Sequence, residues 1–245
     1  MYNSLKKTIK QLLPKRFIFQ NEPFFRFFHG IFYLGNSHQC GVCKKKLRSF
    51  IQLKNNDLLC PFCGSLARNR RLWEVLNTEN HLKGRVLHFS PSRNIYRKLK
   101  KRSDLEYVTS DYEYEFIADF TFDITNIDQE EATFDTIICF HVLEHIPNDI
   151  KAMEELYRVA KPNANVFIQT PFKEGAIYEN ASITSPEDRL KHFGQEDHVR
   201  VYSPEGLKTR LKQVGFAVKT LSFSANKNDA HLGYSSPENI LIATK

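Results

Sequence analysis

From Gly84 onward, short apolar runs alternate with stretches that are apolar on one side only. "RVLHF" and "LEYVTSD" read as strands, with the helical "PSRNIYRKLKKR" between them. "EFIADF" and "FDTIICF" read as two further strands, the second short and apolar enough to be buried on both faces. In "NDIKAMEELYRVA" the positions Ile150, Met153, Leu156, Tyr157 and Ala160 fall on one side, as in an amphipathic helix. "NVFIQT" is a strand, and "SPEGLKTRLKQV" is a helix that Ser203 can cap. "FAVKTLSF" and "ENILIATK" then close the chain as two strands with no helix between them. Strands alternating with helices define an α/β domain with a mostly parallel, doubly wound sheet. The final pair predicts an antiparallel terminal hairpin.

The first 75 residues follow another pattern. In "SLKKTIKQLLP" the residues Leu5, Ile9, Leu12 and Leu13 share a helical face that Pro14 ends, and a dense run of phenylalanines follows. Lys6, Lys7, Lys10, Lys15, Arg16 and Arg26 meet one opposing charge, Glu22. Two readings stay open for this arm, residues 1–37. A basic amphipathic and aromatic segment suits peripheral contact with the inner face of a membrane. It equally suits an arm packed across the main domain or a second subunit. "FIFQNEPFFRFFHGIFYL" is broken by Asn21, Glu22, Arg26 and His29 and makes a poor transmembrane span. With no apolar core and small-residue cleavage site of the secretory type, the chain is expected to be cytoplasmic.

Residues 38–75 hold two Cys-x-x-Cys pairs, Cys40/Cys43 and Cys60/Cys63, with sixteen residues between Cys43 and Cys60. That spacing predicts a four-cysteine zinc ribbon, in which each tight turn points two thiolates at one ion. Gly41 and Gly64 are the candidates for the turn conformations. Disulfides are the competing reading, which a reducing compartment disfavours. Cys139 lies inside an apolar strand and reads as a core thiol. Behind the ribbon, Arg68, Arg70 and Arg71 either offer guanidinium groups to an anion or form a solvated helix face.

Composition narrows the picture only slightly. The 245 residues leave room for one α/β domain and a small appendage, here residues 76–245 and the ribbon. A formal charge of +7, from 35 Lys+Arg against 28 Asp+Glu, fits an anionic partner without choosing among nucleic acid, phosphorylated substrate and membrane.

"FDTIICFHVLEHI" followed by "AMEELYRVAKPNANVFIQTP" resembles the class I S-adenosylmethionine (SAM)-dependent methyltransferases of the type 11-like group. Their fourth strand ends in a V-L-E-H motif, and a helix and an R-V-L-K-P-G-G phrase lead into the fifth strand. Here Asn163 and Asn165 flank Ala164 where the phrase has its turn glycines, a tolerable exchange because asparagine accepts left-handed angles. The resemblance covers roughly Gly84 to Lys245 and implies a Rossmann-like, seven-stranded sheet. It implies SAM as cofactor, with Phe89 and Ser90 in the loop after the first strand, although "HFSPS" lacks the family's glycines. Asp111 would accept the ribose hydroxyls, Asp123 and Ile124 would meet the adenine, and His141 and Leu143 would lie beside the cofactor. For each acid the alternative is an ordinary turn or cap residue.

The insertion 171–203 falls after the fifth strand, at the edge where the methyl group would be presented. Its "HFGQEDHVRVY" resembles strings in bacterial methyltransferases that accompany glycan-assembly enzymes. His198 is the candidate base, with Asp197 beside it as a catalytic partner that a strand would turn to the opposite side. Arg200, Tyr202 and His192 are candidates for acceptor binding. The alternative is a polar network that fixes a lid. The functional expectation is methyl transfer to a small or glycan-type acceptor, on oxygen or nitrogen. An RNA methyltransferase and a non-catalytic zinc-ribbon scaffold are the alternatives.

Overall fold

The computed structural model describes residues 15–78, 81–114 and 116–245; the helix predicted over Leu5–Leu13 lies outside them. Elements α1 (Lys15–Ile31), β1 (Leu34–Gln39), β2 (Lys46–Leu47), β3 (Ile51–Gln52), β4 (Leu58–Leu59) and α2 (Ala67–Asn77) come first. β5 (Arg85–Phe89), α3 (Arg93–Leu99), β6 (Glu106–Ser110), β7 (Phe134–Phe140), α4 (Asp149–Val159) and β8 (Ala160–Gln169) follow. The last third adds β9 (Tyr178–Glu179), α5 (Pro186–Phe193), β10 (Arg200–Val201), α6 (Pro204–Val214), β11 (Ala217–Phe223), α7 (Lys227–Leu232) and β12 (Glu238–Thr244). The chain divides into two compact units. One comprises Met1–Thr78, Ser92–Lys98 and Ala225–Ser236; the other comprises Glu79–Pro91, Leu99–Ser224 and Pro237–Lys245. The ribbon unit therefore takes in two later segments that a linear division leaves in the main domain.

The second unit is a Rossmann-like α/β sheet in the order β11-β12-β8-β7-β5-β6. Strands β5, β6, β7 and β8 are parallel, and β12 runs antiparallel to both β8 and β11. Strand β7 is buried at every position but Asp135, which is why its sequence is an unbroken apolar run. Ile137, Cys139, Val166, Ile168 and Leu241 pack in one core with Met153 and Leu156 of α4 and Leu207 and Leu211 of α6. Each such buried side chain contributes about 1.5–3 kcal/mol relative to leaving it in water. Asn163 takes φ +63° and so supplies the left-handed turn that glycine provides in the resembling phrase.

Two expectations are corrected here. Among the described residues the sheet has six strands, because residues 116–120 of "EFIADF" make a single bridge, Phe120 to Ser110. The Asp119 carboxylate bonds back to the Thr109 amide (3.2 Å) and hydroxyl (2.9 Å), and the Asp119 and Phe120 amides share the Thr109 carbonyl. That local turn replaces a ladder. A short helix, α7, also stands between the last two strands. Six residues are too few to show a 3.6 period; Asn226 and Asp229 close a reciprocal cap around its first turn.

In the first unit, β1–β2 and β3–β4 form two small antiparallel pairs carrying the Cys-x-x-Cys turns. The two turns repeat one geometry: Lys44 N–H donates to Cys40 O (2.8 Å) and Gly64 N–H to Cys60 O (2.9 Å). Lys44 and Gly64 are the left-handed residues, at φ +61° and +72°, so Lys44 fills the role expected of Gly41. The arginine helix is also turned inward. Arg70 is fully buried and donates to the carbonyls of Ser65 (2.6 Å), Leu58 (2.9 Å) and Gly233 (3.0 Å). Arg71 is buried against Glu74 and the Tyr234 ring. Neither of these guanidinium groups is turned to an external anion; Arg68, on the same helix, is part-exposed and 3.8 Å from Asp57.

Candidate functional site

The sheet changes direction between β5 and β7. From β5 the chain steps to β6 on one side, then crosses to β7 on the other, so the carboxyl ends of β5 and β7 flank a topological switch point. Phe89 pairs with Ser110 of β6 and with Cys139 of β7, which brings Ser90, Asp111 and His141 to one edge. Two of these hold left-handed angles without being glycine, Ser90 at φ +44° and His141 at φ +55°. Such strain costs about 1–3 kcal/mol and concentrates at functional positions.

Ser90 Oγ donates to Asp111 Oδ1 at 2.9 Å, and the Phe116 amide donates to Asp111 Oδ2 at 2.8 Å. Each carboxylate oxygen thus has one internal donor and one lone pair left for another. Phe89, Ile124 and Leu143 belong to the buried core of the sheet unit. Asp123 is exposed and accepts from the amide and hydroxyl of Thr125 (2.8 and 2.7 Å), an Asx turn.

The loop after β7 carries the most unusual chemistry. Glu144 is 1% exposed, yet neither of its oxygens accepts a hydrogen bond; His141 Nδ1 stands 3.2 Å away, poorly aligned. His198 is buried, with Nδ1 3.3 Å from Phe193 O and Nε2 without a partner. Its ring meets His145 edge-on at 4.7 Å. Burial pushes the His198 imidazole below its ordinary range, and the neighbouring Glu144 opposes that shift. One ligand atom each from Glu144, His145 and His198 lies within 4.8 Å of the others, a geometry able to hold a cation. Asp197 pairs with His145 (3.1 Å), the same imidazole that His198 meets, so the two neighbouring side chains converge on His145 from a turn.

Two of the three expected acceptor residues, Arg200 and Tyr202, are turned into the protein. Arg200 is buried and spends its donors inside the protein: Nε on Glu179 (2.9 Å), Nη1 on the carbonyls of Leu143 (3.3 Å) and Ile146, and Nη2 on Pro147 O (2.8 Å). Four of its five N–H donors are used in this way, and Nη2 also stands 3.8 Å from Asp149. Tyr202 is fully buried in the core and donates to Asp149, which Arg210 also reaches; burial and that carboxylate push its phenol well above the usual range. His192, on α5, is bound to Tyr178 Oη at 2.7 Å. The signal that sequence reading left unused was the His141–Glu144–His145 spacing, which places all three in one turn.

In the ribbon, Cys40 and Cys63 sulfurs are 3.6 Å apart and those of Cys43 and Cys60 are 3.7 Å apart, with all four cysteines free of disulfides. A tetrahedral zinc with Zn–S of about 2.3 Å requires sulfurs about 3.8 Å apart, so the set fits that ion. Cys139 is buried in the sheet core and its thiol is pushed up by burial.

A doubly wound sheet with strained loops and unpartnered acid and imidazole groups at its switch point defines a protein that binds a nucleoside-type cofactor there. The methyltransferase-domain family matches residues 64–221, well over half of the chain, and the chain belongs to that family. It is 32% identical over 93 residues to the ubiquinone biosynthesis O-methyltransferase of Pseudoalteromonas translucida, covering 37% of this chain and 39% of that protein. The enzyme of the same name from Photobacterium profundum is 27% identical over 117 residues, 46% of this chain and 49% of the other. The chain thus spans less than half the length of either relative. A SAM-dependent methyltransferase structure from Archaeoglobus fulgidus is 19% identical with a TM-score of 0.48, over 73% of this chain and 92% of that one.

Proposed function

We propose that the protein transfers the methyl group of SAM to a hydroxyl of a small acceptor, with the strand-end cluster Glu144–His145–His198 as its chemical centre. The observation that carries this is the meeting, at one switch point, of a left-handed Ser90 beside Asp111 with buried, unpartnered groups after β7. SAM supplies an electrophilic methyl group on a sulfonium. The chain's part is to align and to remove a proton. The residues fit such a ligand. Ser90 already holds the left-handed backbone that a glycine loop provides, and Asp111 retains lone pairs for two ribose hydroxyls. His198, neutral and with Nε2 free, is poised to accept the hydroxyl proton. Similarity to ubiquinone biosynthesis O-methyltransferases supports oxygen as the methylated atom. In the ribbon, Cys40, Cys43, Cys60 and Cys63 hold a zinc ion whose role is structural.

A second reading of the cluster rests on its ligand geometry. Two histidines and a carboxylate suit a first-row divalent cation such as Mn²⁺ or Fe²⁺, which would lower the pKa of an acceptor hydroxyl held beside it. His198 would then be a ligand, and another group would take the proton.

Calorimetry with SAM, then radiolabelled methyl transfer to a panel of small phenols and alcohols, tests the proposal. Failure to bind SAM would sink it. Loss of transfer in EDTA-dialysed protein, restored by Mn²⁺ or Fe²⁺ with SAM affinity unchanged, selects the cation reading. Metal-independent transfer that follows the titration of one imidazole selects the base.

A further inference from the structure

Helix α1 is built inside out. Two of its charged residues, Glu22 and Arg26, point into the ribbon unit, where Glu22 pairs with Arg26 (2.7 Å), Arg97 (2.9 Å) and Arg93 (3.6 Å), while Arg16 is exposed. Gly30 lies directly against Phe62, whose ring a Cβ would meet at 2.5 Å. These contacts fix the rotation of the helix, and the opposite face is left apolar. Phe17, Phe24, Phe28 and Ile31 follow one line at helical spacing, with Phe25 and Phe32 on one flank and Phe27 on the other. All seven are exposed, Phe24, Phe25 and Phe32 by 61, 64 and 73%. Water would not select such a face; a partner that buries it would.

We propose that this face docks on the surface of an anionic lipid bilayer, independently of the methyl-transfer reading. The charge around the phenylalanines selects that partner. Lys44, Lys45, Lys46 and Arg48 are exposed, and two of them reach the aromatic side: Lys45 lies over the Phe62 ring, which abuts Phe27, and Arg48 lies over Tyr33. Between Lys15 and Gln52 the single acid is Glu22, and it is turned inward. An apolar face with a purely cationic rim matches an acyl boundary beneath anionic headgroups. A second copy of the same face would bring a like-charged rim against this one, which opposes self-pairing. Among the described residues no helix is long and apolar enough to cross a membrane, so α1 lies in the interface and does not span it.

The test is co-sedimentation of the full chain with phosphatidylcholine vesicles, with and without phosphatidylglycerol. The wild type is expected to bind the mixed vesicles, weakly the neutral ones, and to be released by salt. Phe24→Glu with Phe28→Glu should lower partitioning by at least about tenfold, and Lys45→Glu with Lys46→Glu several-fold with loss of the salt effect. Circular dichroism and the thermal midpoint check each fold, and Phe25→Ser with Phe32→Ser is the substitute if the first pair unfolds. Equal binding by wild type and phenylalanine variants overturns the proposal. So does a wild-type dimer that these variants split while no form binds vesicles, since a second copy would then cover the face.

Discussion

Replacing Arg200 separates a residue that grips an acceptor from one that builds the site. In Arg200→Met the side chain keeps its length but withdraws all donors. The carbonyls of Leu143, Ile146 and Pro147 then lose the guanidinium fork, and Glu179 and Asp149 keep only Arg210 and Tyr202. Each buried acceptor left unmet costs about 1–3 kcal/mol, and partial solvation brings the net loss to about 3–5 kcal/mol. For a domain of this size that is a fall of roughly 10 °C in Tm. Arg200→Lys restores the charge beside Asp149 and Glu179 from a single point and cannot reproduce the fork, so it should recover about a third of the loss. Urea unfolding followed by circular dichroism gives the stabilities, and calorimetry gives SAM affinity. The carbonyls in question belong to the turn that carries Glu144 and His145, so SAM affinity should fall together with stability in the Met variant. An Arg200→Met protein with a wild-type midpoint and wild-type SAM affinity would refute this reasoning and return Arg200 to the acceptor.

Three further outcomes are expected. Metal analysis should find one zinc per chain, lost together with thermal stability in Cys63→Ser; full retention of zinc in that variant would exclude the four-sulfur site. Ser90→Gly keeps the left-handed backbone and removes the donor to Asp111, so SAM should bind about three- to tenfold tighter by calorimetry if ribose shares that oxygen. Weaker binding would instead make Ser90 a ligand. Burial pushes the His88 imidazole down to about 3, below its unfolded value near 6.5. Between those values only the unfolded chain takes up the proton, so His88 makes stability fall with decreasing pH, by up to about 1.4 kcal/mol per pH unit. His88→Gln should flatten that part of the stability profile, and an unaltered slope in urea titrations would count against it.

Periodicity exposed the sheet because its central strands obey one rule: residues 86–89, 136–140 and 166–169 are buried on both faces and are mostly apolar. It failed where a single polar side chain decides the backbone, as Asp119 does in ending a strand after one bridge. The convergence of the four cysteines was legible from spacing alone, since two Cys-x-x-Cys turns at that separation can bring their thiols to one point. The inward turn of Arg70 and Arg71 was not legible. A basic helix looks the same in sequence whether its guanidinium groups meet solvent or backbone carbonyls more than a hundred residues away, as Arg70 meets Gly233.

The same blindness explains the insertion, and it gives the insertion a purpose. Arg200 and Tyr202 looked like acceptor ligands because they are polar and grouped near the expected edge; in space they reach back to Leu143, Ile146, Pro147 and Asp149. The Val199 amide binds Glu144 O at 2.9 Å in the same direction. These bonds fasten the segment 197–202 onto the turn after β7 and deliver His198 to His145 and Glu144. A turn of the V-L-E-H type offers one acid and one imidazole by itself. The fastened segment adds a second imidazole in a buried place, where its free nitrogen meets neither water nor a protein donor. The insertion therefore completes the cluster as well as covering it: Val199, Arg200 and Tyr202 hold the segment down, and His198 keeps an imidazole nitrogen without a partner.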